Sequence, residues 1–123
     1  MLRTFLRCKL HRAFVTSADP DYEGSISIDR DLCREAGLLE FEQVDIYDIT
    51  NAARFTTYVI YGEPGQIQIN GAAAHLVNVG DRVIICAYLG LEPDEIANHT
   101  AHVVQVGEGN KVVSVHSSSV HHP

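Results

Sequence analysis

The chain has 123 residues, 46% of them apolar, and a formal net charge of −7 at pH 7. That length suits one domain with a real core and leaves no room for a second, while the acidic balance argues against nucleic acid or an anionic membrane as the main partner. No apolar run approaches the roughly 18 to 20 residues that span a bilayer, and Met1-Leu2-Arg3-Thr4-Phe5-Leu6-Arg7 lacks the long apolar centre of a signal peptide, so a cytoplasmic location is the expectation.

Leu2 to Thr16 alternates with period two, placing Leu2, Thr4, Leu6, Cys8 and Leu10 on one face and Arg3, Phe5, Arg7, Lys9 and His11 on the other. This predicts a strand. The phase shifts near Arg12, where Ala13 and Val15 take over, so a bulge or bend is expected there. Lys9 and His11 share a face and can look toward one site. Arg3, Arg7, Lys9 and Arg12 are four of the nine Lys and Arg, and all precede the first acid, Asp19. Such a cationic strand is either an edge guarded by charge or a place that captures a small anion.

Asp19 to Ser25 is rich in turn formers and reads as a polar turn between strands. Its last four residues, Tyr22-Glu23-Gly24-Ser25, also suit a peptide bond that the chain itself breaks. The Ser25 hydroxyl lies next to the Gly24 carbonyl, and a strained turn could press the two together. Glycine on the acyl side has no Cβ to shield the carbonyl. Transfer of the acyl group to the hydroxyl would give an ester. Loss of the Ser25 α-proton would then expel the Gly24 carboxylate and leave dehydroalanine, which hydrolyses to a pyruvoyl ketone and ammonia.

Ser25 to Ile28 is a short strand, and Asp29 is a good N-cap for a helix through Ala36 that Gly37 would end. Strands are expected over Gln43–Thr50, Arg54–Tyr61, Gln66–Ile69 and Arg82–Tyr88, with a turn at Gly62-Glu63-Pro64-Gly65. On Arg54–Tyr61, Arg54 and Tyr58 share a face about 13 Å apart, a span over which long side chains can converge. Asn70-Gly71-Ala72-Ala73-Ala74-His75 is either the first turn of a helix, favoured by alanine, or a place where backbone N–H groups approach a ligand closely. A brief helix follows Glu92 with Pro93 at its first position. A hairpin joins His102–Val106 to Val112–His116, and a flexible tail covers 117–123. About seven short strands and two short helices predict a mainly β domain over residues 1–116, closed as a small barrel.

Cys8, Cys33 and Cys86 are odd in number and in no paired spacing, which favours reduced core thiols over disulfides or a metal site. His99 and His102 lack a third nearby ligand for zinc. There is no G-x-S-x-G elbow and no glycine-rich phosphate loop.

With Lys9-Leu10-His11-Arg12, Tyr22-Glu23-Gly24-Ser25, Arg54-Phe55-Thr56-Thr57-Tyr58 and Asn70-Gly71-Ala72-Ala73-Ala74-His75 in place, the sequence resembles the bacterial aspartate 1-decarboxylases from Met1 to about Tyr88, and more loosely beyond Leu91. The resemblance implies a double-psi β-barrel with short helices, a homotetramer with sites between subunits, and a possible maturation factor. It implies cleavage at Gly24-Ser25 into residues 1–24 and 25–123, a covalent pyruvoyl group derived from Ser25, and conversion of L-aspartate to β-alanine for pantothenate and coenzyme A. By matching positions, Ser25 would carry the pyruvoyl group that condenses with the substrate amine, and Tyr58 would donate the proton. Lys9 and Arg54 would bind carboxylate, with Thr57 and the backbone of Gly71, Ala72 and Ala73 holding substrate. Tyr22, His11, Gly24 and Asn70 would surround the cleavage site, and no metal is needed. The chain departs from the pattern at Pro20-Asp21, where relatives carry Leu-His. Pyruvoyl chemistry on another amino acid, and a non-catalytic barrel that binds an anionic partner, are the alternatives.

Overall fold

The computed structural model describes all 123 residues and contains nine strands. They are β1 (Arg3–Phe14), β2 (Ser17–Asp19), β3 (Ser25–Asp29), β4 (Gln43–Asp48), β5 (Arg54–Gly62), β6 (Ile67–Asn70), β7 (Arg82–Leu91), β8 (Thr100–Val106) and β9 (Val112–Ser119). They form one sheet in the order β2-β6-β3-β5-β4-β7-β1-β8-β9. The sheet closes because β1 runs on through Val15 and Thr16 into β2, which pairs with β6. The junction is hydrogen-bonded: Val15 N–H donates to Asp81 O at 2.9 Å and Thr16 N–H to Ile67 O at 2.8 Å. The strands β6, β3, β5, β4, β7 and β1 with β2 therefore form a ring, as the small-barrel expectation required, and β8 and β9 hang on the outside of β1.

The ring encloses Leu10, Val15, Ile26, Ile28, Val44, Ile46, Val59, Ile67, Ile69, Val83 and Ile85, all essentially inaccessible to water. Each such side chain stabilises the fold by roughly 1.5–3 kcal/mol. Arg12 adopts a φ of 68° where β1 shifts register against β7 between His11 and Ala13, which is the bulge that the phase change predicts. A second shift lies between Leu6 and Cys8. The unbroken alternation from Leu2 to Leu10 conceals it, because both flanking residues are apolar.

One α-helix, α1 (Arg30–Ala36), follows β3. The Asp29 carboxylate accepts from Asp31 N–H at 2.7 Å, and Gly37 ends the helix at a φ of 78°. Leu32, Cys33 and Ala36 are its buried stripe, as read from the sequence. Pro93–Asn98 forms a 3-10 helix with the capping pair Glu92 and Glu95. Several boundaries differ from expectation: β7 runs on to Leu91, three residues past Tyr88, and β8 starts at Thr100, two before His102. The strand β2 (Ser17–Asp19) falls between the expected first strand and the polar turn, and β9 reaches Ser119, where it pairs with Thr100, so Ser117–Ser119 are strand and not tail. All three cysteines are free and buried. Burial pushes the Cys8 thiol up to about 11 and the Cys33 thiol up to about 12, so both stay protonated. Cys86 is buried but lies outside the core cluster.

Asp48 and Asp81 are 2% and 6% exposed. One Asp48 oxygen accepts from Thr50 N–H at 2.8 Å and Asn51 N–H at 3.2 Å, while the other is buried with no partner. Burial, with the neighbouring Asp81 carboxyl next in weight, raises the Asp48 pKa to about 6. The native state thus holds a proton that the unfolded chain releases near 3.8. Its stabilisation is complete below that value and is lost as pH rises through about 6. Asp48→Asn supplies a permanent donor toward Asp81. It should raise the melting temperature at pH 8, by a stability gain on the order of 2 kcal/mol, and flatten the profile between about pH 4 and 7 in thermal melts.

Candidate active site

Asp19 opens the turn that delivers Ser25. Its carboxylate accepts from Asp21 N–H at 3.0 Å and its carbonyl from Tyr22 N–H at 3.4 Å, with Pro20 suited to the second position of such a turn. The chain then enters β3 at Ser25, which pairs with Asn70 at the end of β6. Ser25 is 1% exposed. Its hydroxyl donates to Glu23 O at 2.9 Å, folding back across Gly24, and accepts from Asn70 Nδ2 at 3.0 Å. The same Asn70 nitrogen donates to Ser27 Oγ at 3.1 Å, and Asn70 Oδ1 accepts from Gln68 Nε2 at 2.7 Å. Gln68 Oε1 in turn accepts from Ser17 Oγ at 2.6 Å. A chain of amides and hydroxyls along β6 thus fixes the orientation of the Asn70 amide, and through it the Ser25 oxygen.

Gly71 stands directly behind this turn at a φ of 76°. A Cβ there would lie 2.6 Å from Gly24 Cα, 2.9 Å from Gly24 N and 3.4 Å from Tyr22 O. Only glycine fits such an approach. Gly24 itself is open, with nothing within 4 Å of a Cβ built on it. Of the two readings of Asn70–His75, the helical one holds. Gly71–Leu76 is a 3-10 helix, and its first residue admits a close neighbour, but that neighbour is the chain's own backbone.

The other expected residues lie on the outer face of β1, β7, β4 and β5. Register places His11, Ile84, Tyr47 and Arg54 in one row, and Lys9, Cys86, Asp45 and Thr56 in the next. Tyr58 precedes Val59, the parallel partner of Ile26, so it stands one register step from the pairing at the head of β3, beside Ser25. Thr57, opposite Val44, belongs by alternation to the other face of β5. It nevertheless borders the same hollow of about 520 Å³ as Phe41, Gln43, Thr56 and Tyr58. The largest hollow, about 560 Å³ between α1 and Lys111, contains none of the expected site residues.

Arg54 and Tyr58 do not converge. The Arg54 guanidinium lies 4.1 Å above the Tyr47 ring, while Tyr58 leans on Phe41 with ring centroids 6.2 Å apart. These supports lie toward opposite ends of β4. Lys9 and Arg54 stand on strands three spacings apart, about 14 Å, with Cys86 of β7 between them. Neither cation has a carboxylate partner, whereas Arg7 pairs with Glu42 at 2.6 Å and Arg34 with Asp31 at 2.5 Å. His11 is half-buried, and its Nδ1 has no partner. Burial lowers its pKa, and Lys9 and Arg12 add repulsion in the same direction, which favours the neutral imidazole. Tyr22 is 53% exposed beside the turn. No group of three or more His, Cys, Asp or Glu is arranged to hold a metal ion, and no helix is long and apolar enough to cross a membrane.

A model of the aspartate decarboxylase family matches residues 1–113. The chain belongs to that family. An aspartate 1-decarboxylase of Psychromonas ingrahamii is 53% identical over 115 residues, covering 92% of this chain and 91% of that protein. One of Bdellovibrio bacteriovorus is 56% identical over 109 residues, 89% and 88% of the two chains. One of Ralstonia nicotianae is 46% identical over 117 residues, 94% and 98%. The aspartate decarboxylase match thus runs well past Leu91, where the resemblance in the sequence loosens.

Sequence reading of this aspartate decarboxylase chain missed Gln68, Ser27, Tyr47 and Tyr88. Gln68 and Ser27 lie two residues from Asn70 and Ser25, so strand alternation was a usable signal for both. Asn70→Ala would leave the Ser25 and Ser27 hydroxyls and the Gln68 amide short of partners. It should lower unfolding stability by about 1–3 kcal/mol, measured by urea denaturation.

Proposed function

We propose that this chain decarboxylates L-aspartate to β-alanine and CO₂, using a pyruvoyl group that it makes from Ser25 by cutting itself at Gly24-Ser25. The observation that carries this is the Ser25 hydroxyl, buried at the head of β3 between Glu23 O and Asn70 Nδ2, with an unshielded Gly24 before it. The relatives' name supplies the substrate.

In maturation the Ser25 oxygen attacks the Gly24 carbonyl carbon, the C–N bond breaks, and the freed amine takes the hydroxyl proton. Loss of the Ser25 α-proton then cleaves the ester, releasing the Gly24 carboxylate, and water displaces the enamine nitrogen as ammonia. Asn70 holds the precursor, its N–H donating to the Ser25 hydroxyl oxygen at 3.0 Å; that oxygen leaves with the Gly24 carboxylate, and the ketone oxygen comes from water at the former nitrogen's place on Cα. A pyruvoyl ketone supplies the electron sink for the pair left behind when CO₂ departs.

The remaining tasks fall to side chains. Arg54 has a free edge of N–H donors for the substrate's β-carboxylate, and Lys9 adds a compact second charge. Tyr58, beside Ser25 in register, is the proton donor to the former α-carbon. Thr57 and the backbone of Gly71-Ala72-Ala73 hold substrate. The likeness to the aspartate decarboxylases supports a homotetramer with the complete site between copies. The role is β-alanine supply for pantothenate and coenzyme A in the cytoplasm, with an accessory factor able to speed maturation.

Denaturing mass spectrometry of incubated protein should show two pieces, residues 1–24 and 25–123, the second blocked to Edman degradation. An intact chain after prolonged warming overturns the proposal. Ser25→Ala should remain whole and inactive. Gly71→Ala, which pushes on Gly24, should slow cleavage at least tenfold, followed as the fraction cut against time; about 1.4 kcal/mol of turn distortion is enough. Tyr58→Phe should mature fully yet lose most of its turnover, and aspartate should be preferred over glutamate in CO₂ release.

A further inference from the structure

Arg54 is one of three arginines stacked on an aromatic ring, the others being Arg30 on Tyr61 and Arg82 on Phe14. Arg30 belongs to α1 and Arg82 to the far end of β7, opposite Phe14; Arg54 shares β5 and its outer face with Tyr58. The ring under Arg54 is itself held, because the Tyr47 hydroxyl meets the Tyr88 hydroxyl at 2.8 Å. Tyr47 sits opposite Ile84 on β7, and Tyr88 lies four residues further along that strand. The two rings therefore lean toward each other over Cys86. This accounts for an odd burial: Val83, Ile85 and Ala87 face the core, yet the intervening Cys86 is only 4% exposed.

We propose that Tyr47, braced by Tyr88, is a positioning residue that aims the Arg54 guanidinium at the substrate carboxylate. Stacking engages the flat face of the guanidinium and leaves its N–H edge free. A carboxylate partner on this chain would fix the same cation only by occupying the donors that substrate needs. The hydroxyl pair removes rotation of the Tyr47 ring, so that binding need not order both the arginine and its platform. Burial and the bond to Tyr47 both raise the Tyr88 pKa, so this hydroxyl stays protonated through the working pH range. The inference rests on the proposed carboxylate-binding role of Arg54.

A double-mutant cycle tests it, read as KM and kcat for aspartate and as the dissociation constant for succinate, a dicarboxylate that cannot be decarboxylated. Tyr47→Leu should mature normally and raise both KM and the succinate constant about tenfold, with kcat changed less than about threefold. Tyr47→Phe and Tyr88→Phe should each give a rise of about two- to threefold, and Tyr47→Trp, which keeps an aromatic platform, should restore binding. In an Arg54→Ala background, Tyr47→Leu should add nothing. Additive effects, or unchanged KM and succinate binding in both Phe variants, overturn the inference. The succinate arm separates the two proposals: a wild-type chain that never decarboxylates aspartate defeats the proposed function, while Tyr47-dependent succinate binding through Arg54 still upholds the platform.

Discussion

The pairing of Ser25 with Asn70 is the contact on which the rest depends. β3 and β6 bury Ile26, Ile28, Ile67 and Ile69 inside the barrel, and a slip of one residue would turn these isoleucines outward and Ser25 inward. The hydrophobic effect thereby sets the position of a hydroxyl that it does not touch. With the register held, Asn70 reaches Ser25 and Ser27 together, and Gln68 and Ser17 hold Asn70 in turn. The turn before Ser25 is confined on its other side by Gly71, which leaves no room for a side chain.

Charge is distributed by the same logic. Arg7 and Arg34 are spent on carboxylates of their own chain, while Lys9 and Arg54 are not. The remaining cations, Arg3, Arg12, Arg30, Arg82 and Lys111, are likewise without a carboxylate partner. The Tyr47 ring gives Arg54 a fixed direction without consuming its donors. Lys9 and Arg54 stand on strands three spacings apart in the sheet, β1 and β5.

Elements whose signals are local were legible in advance. Asp29 and Gly37 bracket α1 because capping is a matter of one side chain and one φ value. The bulge at Arg12 showed as a change of phase. The bulge at Arg7 and the strand β2 were not legible, since each is defined by a partner strand far away in the chain. The small-residue run after Asn70 allowed a helix start or a close approach, and only the fold showed that Gly71 meets Gly24.

By itself the amino-acid sequence determined the barrel-forming alternation and the Gly24-Ser25 turn as a candidate for self-cleavage, because those follow from side-chain chemistry and spacing along the chain; the set of residues around that turn came from the resemblance to a family. Only the tertiary structure decided that Arg54 rests on Tyr47 and not toward Tyr58, that Tyr88 braces Tyr47, and that Gly71 abuts Gly24. Those are contacts between strands and turns remote in sequence, and closing the sheet into a ring is what brings them together.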